Sequence, residues 1–317
     1  MSSFAEKAEA SIPAEIRMIS GCRDEQTSAD VSNVASFTLP DPAGRAGGAC
    51  TSALLNIMYK DKHAPDDDIS FQDVLLKMRD ILSSKNFTQI PQLSSSRPMD
   101  ISTKFDISQP DFHGNKRAVM VGINYIGQDG ELRGCHNDVL NMKEYLMDVH
   151  GFEESNMNIL LDDGVHTDPT KDNIMTAFRE IVQQSEEGDV VYIHYSGHGA
   201  SVRDDDGDEA DGMDETLVPV DYNKSGLIRD DDLLTTLVVP MKKGVFVTAI
   251  MDCCHSGTIL DLPFNFKADG EMDHMVADEN YDFDPLTAII GQLAAGNPML
   301  ATAMNVVDQG CGNCTIS

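Results

Sequence analysis

A histidine and a cysteine stand in two short glycine-flanked motifs, Ser196-Gly197-His198-Gly199 and Asp252-Cys253-Cys254-His255-Ser256-Gly257, each directly after an apolar run. A thiol becomes a strong nucleophile when a neighbouring base takes its proton, and imidazole is the side chain whose ordinary pKa suits that task. The pair therefore reads as a nucleophile, Cys254, with its acid/base partner, His198, 56 positions earlier. The glycines would let a substrate backbone approach closely, and the amides of Gly199 and Cys254 are the natural donors to an oxyanion. Taken singly, a Cys at the end of an apolar run is more often a small buried hydrophobe, and a lone His a satisfied polar group. That plainer reading suits Cys253, expected to face the core, and His194, which alternates with apolar residues. His255 reads as a turn residue.

Carboxylates surround these motifs. Lys+Arg 23 against Asp+Glu 53 in 317 residues gives a formal net charge of -30. Such a surface repels nucleic acid and anionic membranes and attracts metal ions and basic peptide segments, although most of its acids need only keep the protein soluble. Asp252, Asp138 and Asp30 offer negative charge to a basic substrate side chain. Asp138 also suits an N-cap, and Asp230 and Asp231 could cap the helix that follows them. The run Asp204 to Glu215 matches an EF-hand loop at positions 1, 3, 5 and 12, but Glu209 replaces the turn glycine and flanking helices are not expected. It is not an EF-hand.

Seven cysteines at irregular spacing read as reduced thiols rather than a disulfide framework, and the Cys311/Cys314 pair, without a second pair, as exposed thiols. Met1 to Ser20 has no apolar core segment, and no stretch approaches the roughly 20 apolar residues of a membrane span, so a cytoplasmic location is expected.

The elements that must position these residues alternate between strand and helix. Ala118 to Ile123, Asn158 to Leu161, Asp189 to Tyr195 and Val245 to Met251 read as strands. Asn137 to His150, Lys171 to Gln184 and Asp230 to Val239 read as the helices between them. Alternation of this kind implies a mostly parallel sheet, with ligands and reacting groups beyond the carboxyl ends of its strands. The first hundred residues form a smaller unit: a strand over Glu15 to Ser20, helices over Ala49 to Tyr59 and Phe71 to Leu82, and an extended stretch over Phe87 to Leu93. Ser94, Ser95, Ser96 and Pro98 mark a boundary, Ser102 to Asn115 a linker, and Lys267 to Asp284 a polar loop. The expected division is 1–108, 109–264 and 265–317, with the first two regions sharing one α/β domain.

Several blocks resemble those of metacaspases: Ser20 to Asp30, Gln89 to Ser96, Leu132 to Asp138 (Leu-Arg-Gly-Cys-His-Asn-Asp), Tyr195 to Gly199, Pro219 to Asp221, Asp252 to Gly257 and Asp261 to Phe264. Caspase-like enzymes also place the histidine about 50 residues before the cysteine. The block order departs from most metacaspases, since the small-subunit-like block precedes the catalytic one, as in the rearranged, algal type. The resemblance implies a caspase-like sandwich with a mostly parallel central sheet flanked by helices. It implies a calcium-dependent cysteine endopeptidase, expected as a monomer, acting on proteins or peptides with Arg or Lys at P1. Cys135, Asp138, Ser196 and Asp252 would line the pocket for that side chain, and Asp214, Asp230, Asp231 and Asp261 would bind Ca2+. Two other readings fit the same residues: a calcium-binding regulatory protein with little activity, and a peptide ligase using the same thiol.

Overall fold

The computed structural model describes residues 3–21, 30–31, 47–60, 64–65, 68–87, 89–108, 114–128, 130–203, 213–253, 257–278, 281 and 283, with the backbone alone at 30, 31, 47, 203 and 213. The chain opens with α1 (Phe4–Ser11), β1 (Glu15–Ser20), β2 (Asp30–Val31), β3 (Gly47–Gly48), α2 (Ala49–Met58), α3 (Phe71–Ser84) and β4 (Gln92–Ser95). It continues with β5 (Lys116–Gly122), α4 (Cys135–His150), β6 (Met157–Leu161), α5 (Lys171–Gln184), β7 (Val190–Ser196), β8 (Gly199–Arg203) and β9 (Met213–Leu217). α6 (Tyr222–Ser225), β10 (Ile228–Arg229), α7 (Asp230–Leu233), β11 (Phe246–Asp252), β12 (Phe264–Lys267) and β13 (Val276–Ala277) complete it.

Eight strands form one sheet in the order β13-β12-β4-β1-β11-β7-β5-β6. The pairs from β1 to β6 are parallel, and those from β1 to β13 antiparallel. This mixed α/β sheet flanked by helices has the caspase-like architecture. Period-two alternation sorts its side chains between two cores. Val247, Ala249 and Met251 of β11, with Val191, Ile193 and Tyr195 of β7, pack with Ile174, Phe178 and Ile181 of α5. Phe246 and Ile250, with Val190 and Tyr192, pack on the opposite face with α2, α3 and α4.

Local chemistry explains the helices. Thr170 caps α5 by accepting from the Asn173 amide at 3.2 Å, and the apolar residues of α5 recur at helical spacing on one buried face. α4 stops at Gly151, whose φ of 65° is left-handed backbone that glycine adopts readily.

Four expectations are corrected. The stretch over Phe87 to Leu93 is a strand only from Gln92, and it runs on through Ser94 and Ser95, two of the serines read as a boundary. Those serines are buried because the neighbouring backbone satisfies them: Ser96 Oγ accepts from the Ile16 amide at 2.9 Å and donates to the Ala14 carbonyl at 3.1 Å. The described start of the Ser102 to Asn115 stretch, residues 102–108, packs rather than merely links, since Phe105 and Ile107 are buried and Phe105 tilts against Phe71. The polar stretch from Lys267 holds the end of β12 and the short β13 at the sheet edge. The helix expected over Asp230 to Val239 is one α-helical turn followed by a π turn over Leu234–Val238, closed by the Val239 amide on the Leu234 carbonyl at 3.0 Å. Composition also gave no signal for α1 or for the separate sheet β10-β9-β8.

Candidate active site

β7 and β11 are parallel neighbours, with Tyr195 opposite Met251 and Ser196 opposite Asp252. The two motifs therefore leave the sheet side by side at the carboxyl ends of adjacent strands, where side chains from separate segments can converge. His198 lies two residues past the last pair. Its Nε2 is 2.7 Å from the Gly130 carbonyl oxygen. A carbonyl can only accept, so Nε2 is the donor in this contact, which leaves Nδ1 free of that bond. The His198 ring packs on Tyr125 with centroids 4.7 Å apart. Gly199 opens β8. Cys254 and His255 lie outside the described residues, while Cys253 is fully buried in the core on the α5 face.

On the opposite face the predicted carboxylates meet the start of α2. Asp138 is 1% exposed and Asp252 4%. The Gly48 amide donates to Asp138 Oδ1 at 2.7 Å, Ser196 Oγ donates to Asp138 Oδ2 at 2.5 Å, and the Thr51 amide donates to Asp252 Oδ2 at 2.8 Å. Free amides and the positive end of a helix dipole favour buried carboxylates at this position. Gly48 sits between the two acids: a Cβ there would fall 2.4 Å from Asp252 Oδ2 and 2.8 Å from Asp138 Oδ2. Thr51 Oγ1 lies 3.3 Å from His194 Nε2, and burial lowers the His194 pKa to about 3, so that ring is neutral. His194 thus takes the structural role expected of it.

Asp138 does not cap α4. The N-cap is Gly134, and the Asp138 carboxylate reaches across to Gly48 and Ser196 instead. Cys135, buried at the first position of α4, donates its amide to Asn124 Oδ1 at 3.1 Å. The Asp30 side chain lies outside the description, but its backbone pairs with Gly48. Gly48, Thr51, Tyr125 and Gly130 are the neighbours that reading by motif missed. Only the glycine pair Gly47-Gly48 before an apolar helix hinted at one of them.

A second acidic group lies where β9 meets α7. Carboxylate oxygens of Asp214, Asp230 and Asp231 lie within 4.8 Å of one another. Asp230 is the first helical residue rather than a cap; the cap is Arg229, and Asp230 Oδ2 accepts from the Glu215 amide at 2.7 Å. Burial pushes the Asp230 pKa up to about 7; Asp214 and Asp231 add to that, while the amides of Glu215 and Asp231 oppose it. The Arg229 guanidinium pairs with Asp214. Asp261 is not among these three; its φ is 43°, and it closes a turn through a 2.6 Å bond from its amide to the Thr258 carbonyl. Thr258 Oγ1 in turn donates to Glu215 Oε2 at 2.7 Å, next to Asp214. Three hard oxygen donors suit Ca2+ or Mg2+ rather than a thiophilic metal.

A caspase-like sheet in which the strand before Gly197-His198-Gly199 lies beside the strand ending at Asp252, where the Asp-Cys-Cys-His motif begins, fits a cysteine peptidase of the caspase-like class. Comparison with known proteins makes the assignment narrower. Residues 2–101 match the caspase domain and residues 116–263 the metacaspase peptidase C14 domain, an order reversed relative to the usual one. The chain belongs to the metacaspase family: it is 56% identical over 290 residues to "Metacaspase III c" of Phaeodactylum tricornutum, covering 91% of this chain and 86% of that one. "Metacaspase-1A" of Neurospora crassa is 45% identical over 159 residues, 50% of this chain and 35% of its own. "Metacaspase-1" of Eremothecium gossypii is 46% identical over 176 residues, 55% of this chain and 38% of its own. The family makes this chain a cysteine peptidase, a hydrolase acting on proteins. Among the described residues, no helix is long and apolar enough to cross a membrane.

Proposed function

We propose that this peptidase is a calcium-dependent endopeptidase that cleaves after Arg or Lys, with Cys254 as nucleophile and His198 as acid/base partner. The observation that carries the reading is the in-register end of β7 beside β11, with His198 Nε2 engaged by the Gly130 carbonyl, which leaves Nδ1 as the ring nitrogen able to act as a base. His198 takes the thiol proton, the Cys254 thiolate attacks the scissile carbonyl, and the amides of Gly199 and Cys254 receive the oxyanion. The imidazolium then returns the proton to the leaving amine. Water, activated by the same ring, hydrolyses the thioester.

Specificity rests on Asp138 and Asp252, buried acids with Ser196 and Cys135 beside them and Asp30 on the paired strand. A guanidinium or ammonium complements such a pocket, whereas an acidic P1 side chain would be repelled. The donor chemistry of Asp214, Asp230 and Asp231 supports a calcium site, with Asp261 as a further ligand supplied from its turn. Bound calcium would supply charge neutralisation outside the bond-breaking centre. A loop-built site of this sort binds in the range of about 10⁻⁴ to 10⁻³ M.

The test is turnover of an Arg-ended fluorogenic peptide by the wild type, Cys254→Ala, Cys253→Ala and His198→Ala, each with chelator and with millimolar calcium. Wild type and Cys253→Ala should be active with calcium, and the other two inactive. Equal wild-type activity in chelator removes the calcium assignment; activity in Cys254→Ala or His198→Ala removes the dyad. Mass spectrometry of the products separates hydrolysis from peptide ligation.

A further inference from the structure

Tyr125 is one of three non-glycine residues with positive φ among the described residues, at 52°. A bulky side chain rarely adopts left-handed backbone, and such outliers persist only where the surroundings fix them. Here the surroundings are the turn that carries His198. The His198 amide donates to the Tyr125 hydroxyl at 2.9 Å, and that hydroxyl donates to the Val218 carbonyl at 2.6 Å. Tyr195 makes the complementary pair: its hydroxyl donates to the His198 carbonyl at 2.8 Å and accepts from the Val218 amide at 3.2 Å.

Both tyrosines are fully buried, and their hydroxyls lie 3.4 Å apart. Burial raises both phenol pKa values, so each stays protonated and can donate. The glycine before His198 admits them: a Cβ at Gly197 would sit 2.9 Å from the Tyr195 hydroxyl and 3.1 Å from that of Tyr125. Ring packing adds a second restraint, since Tyr125 lies 4.7 Å from the imidazole at a 36° tilt.

We infer that Tyr125 and Tyr195 are positioning residues for the reaction, a pair of hydroxyls that fixes the backbone of His198 on both sides while the Tyr125 ring limits rotation of the imidazole. The inference rests on His198 as the acid/base partner. Neither tyrosine touches the substrate. Together they tie the His198 turn to Val218, so the ring keeps its distance from Cys254 through both proton transfers. Misplacing a reacting group by about 1 Å can lower a rate by on the order of 10²-fold.

The experiment compares Tyr125→Phe and Tyr195→Phe with wild type and His198→Ala. It measures kcat and KM on the Arg-ended peptide, the rate of Cys254 alkylation by iodoacetamide at fixed pH, and melting temperature. Tyr125→Phe keeps the ring, so kcat should fall on the order of 10- to 100-fold. KM should stay within about twofold, and alkylation should slow in parallel, because a misplaced His198 yields less thiolate. Tyr195→Phe should show a smaller loss of the same kind, and it carries the test alone should Tyr125→Phe fail to fold. Wild-type kcat and alkylation in a folded Phe variant, or a change confined to KM, would overturn the inference while an inactive His198→Ala leaves the dyad standing. Activity in His198→Ala overturns the dyad reading, and this inference with it.

Discussion

Asp138 and Asp252 each receive a backbone N–H from the start of α2, whereas Asp214, Asp230 and Asp231 crowd together, with Asp214 paired to the Arg229 guanidinium. Both groups hold buried aspartates. In the first, amides from Gly48 and Thr51 replace the water lost on burial, and the glycine keeps the space between the two acids clear. In the second, burial and neighbouring negative charge leave Asp230 with a pKa of about 7. The first group is met by backbone donors, whereas in the second burial and acidic neighbours disfavour the charged form of Asp230. Fixed acids suit selection of a cationic side chain, and strained acids suit a cation that binds and is released.

The largest effect should come from breaking the fixed group. Asp252→Asn keeps the shape but removes the charge, and kcat/KM on an Arg-ended peptide should fall on the order of 10⁴-fold. Calcium affinity, measured by calorimetry, should be unchanged. A parallel loss of calcium binding would mean that the two groups are coupled rather than separate.

Gly48→Ala should act next. Its methyl would overlap Asp252 Oδ2, so either the α2 start or the carboxylates must move. Overpacking of this kind costs about 1–3 kcal/mol of stability. Turnover of Arg peptides should drop on the order of 10²-fold, while iodoacetamide still labels Cys254 at the wild-type rate. Equal losses in both readouts would place the damage in the reacting centre instead.

Asp230→Asn sharpens the other side of the comparison. The folded-state pKa of Asp230 is raised from 3.8 to about 7, so between those values the folded protein holds a proton that the unfolded chain has released. This group therefore lowers stability progressively as pH rises through that window, with its full penalty present above about pH 7. In chelator, the wild type should lose stability relative to Asp230→Asn between about pH 4 and pH 7, read as the difference in melting temperature at each pH. Calcium should raise the melting temperature of the wild type and not of the variant. A pH-independent difference would show that Asp230 ionises normally.

The smallest effect should follow Thr51→Val, which removes the contact with His194 but leaves the amide on Asp252. Stability should fall by about 1 kcal/mol, with peptide turnover within about threefold of wild type. A collapse in turnover would mean that the Thr51 hydroxyl, not the backbone, orders the pocket.

How far these features were legible varies with their range. α5 runs from Lys171 to Gln184 as periodicity predicts, because a capping threonine and one apolar face are both local signals. β7 and β11 were readable as apolar runs broken internally only by His194 and Thr248, as expected of central parallel strands buried on both faces. β4 was not, because Ser94, Ser95 and the adjoining Ser96 look like a linker until Gly257 accepts from Ser94 and the Ile16 amide of β1 donates to Ser96. The π turn after α7 had no marker in residue type.

By itself the sequence offered the candidates for reaction and their place just past two apolar runs, His198 three positions after Tyr195 and Cys254 three after Met251, with acids in the motifs beside them. Tertiary structure alone decided the company they keep. Gly48 is 90 positions from Asp138, and Thr51 is 201 from Asp252. No periodicity or spacing rule relates such distant groups. A buried carboxylate takes whichever amide the packed helix presents, and that hydrogen bond gains its strength only once the surrounding core has excluded water.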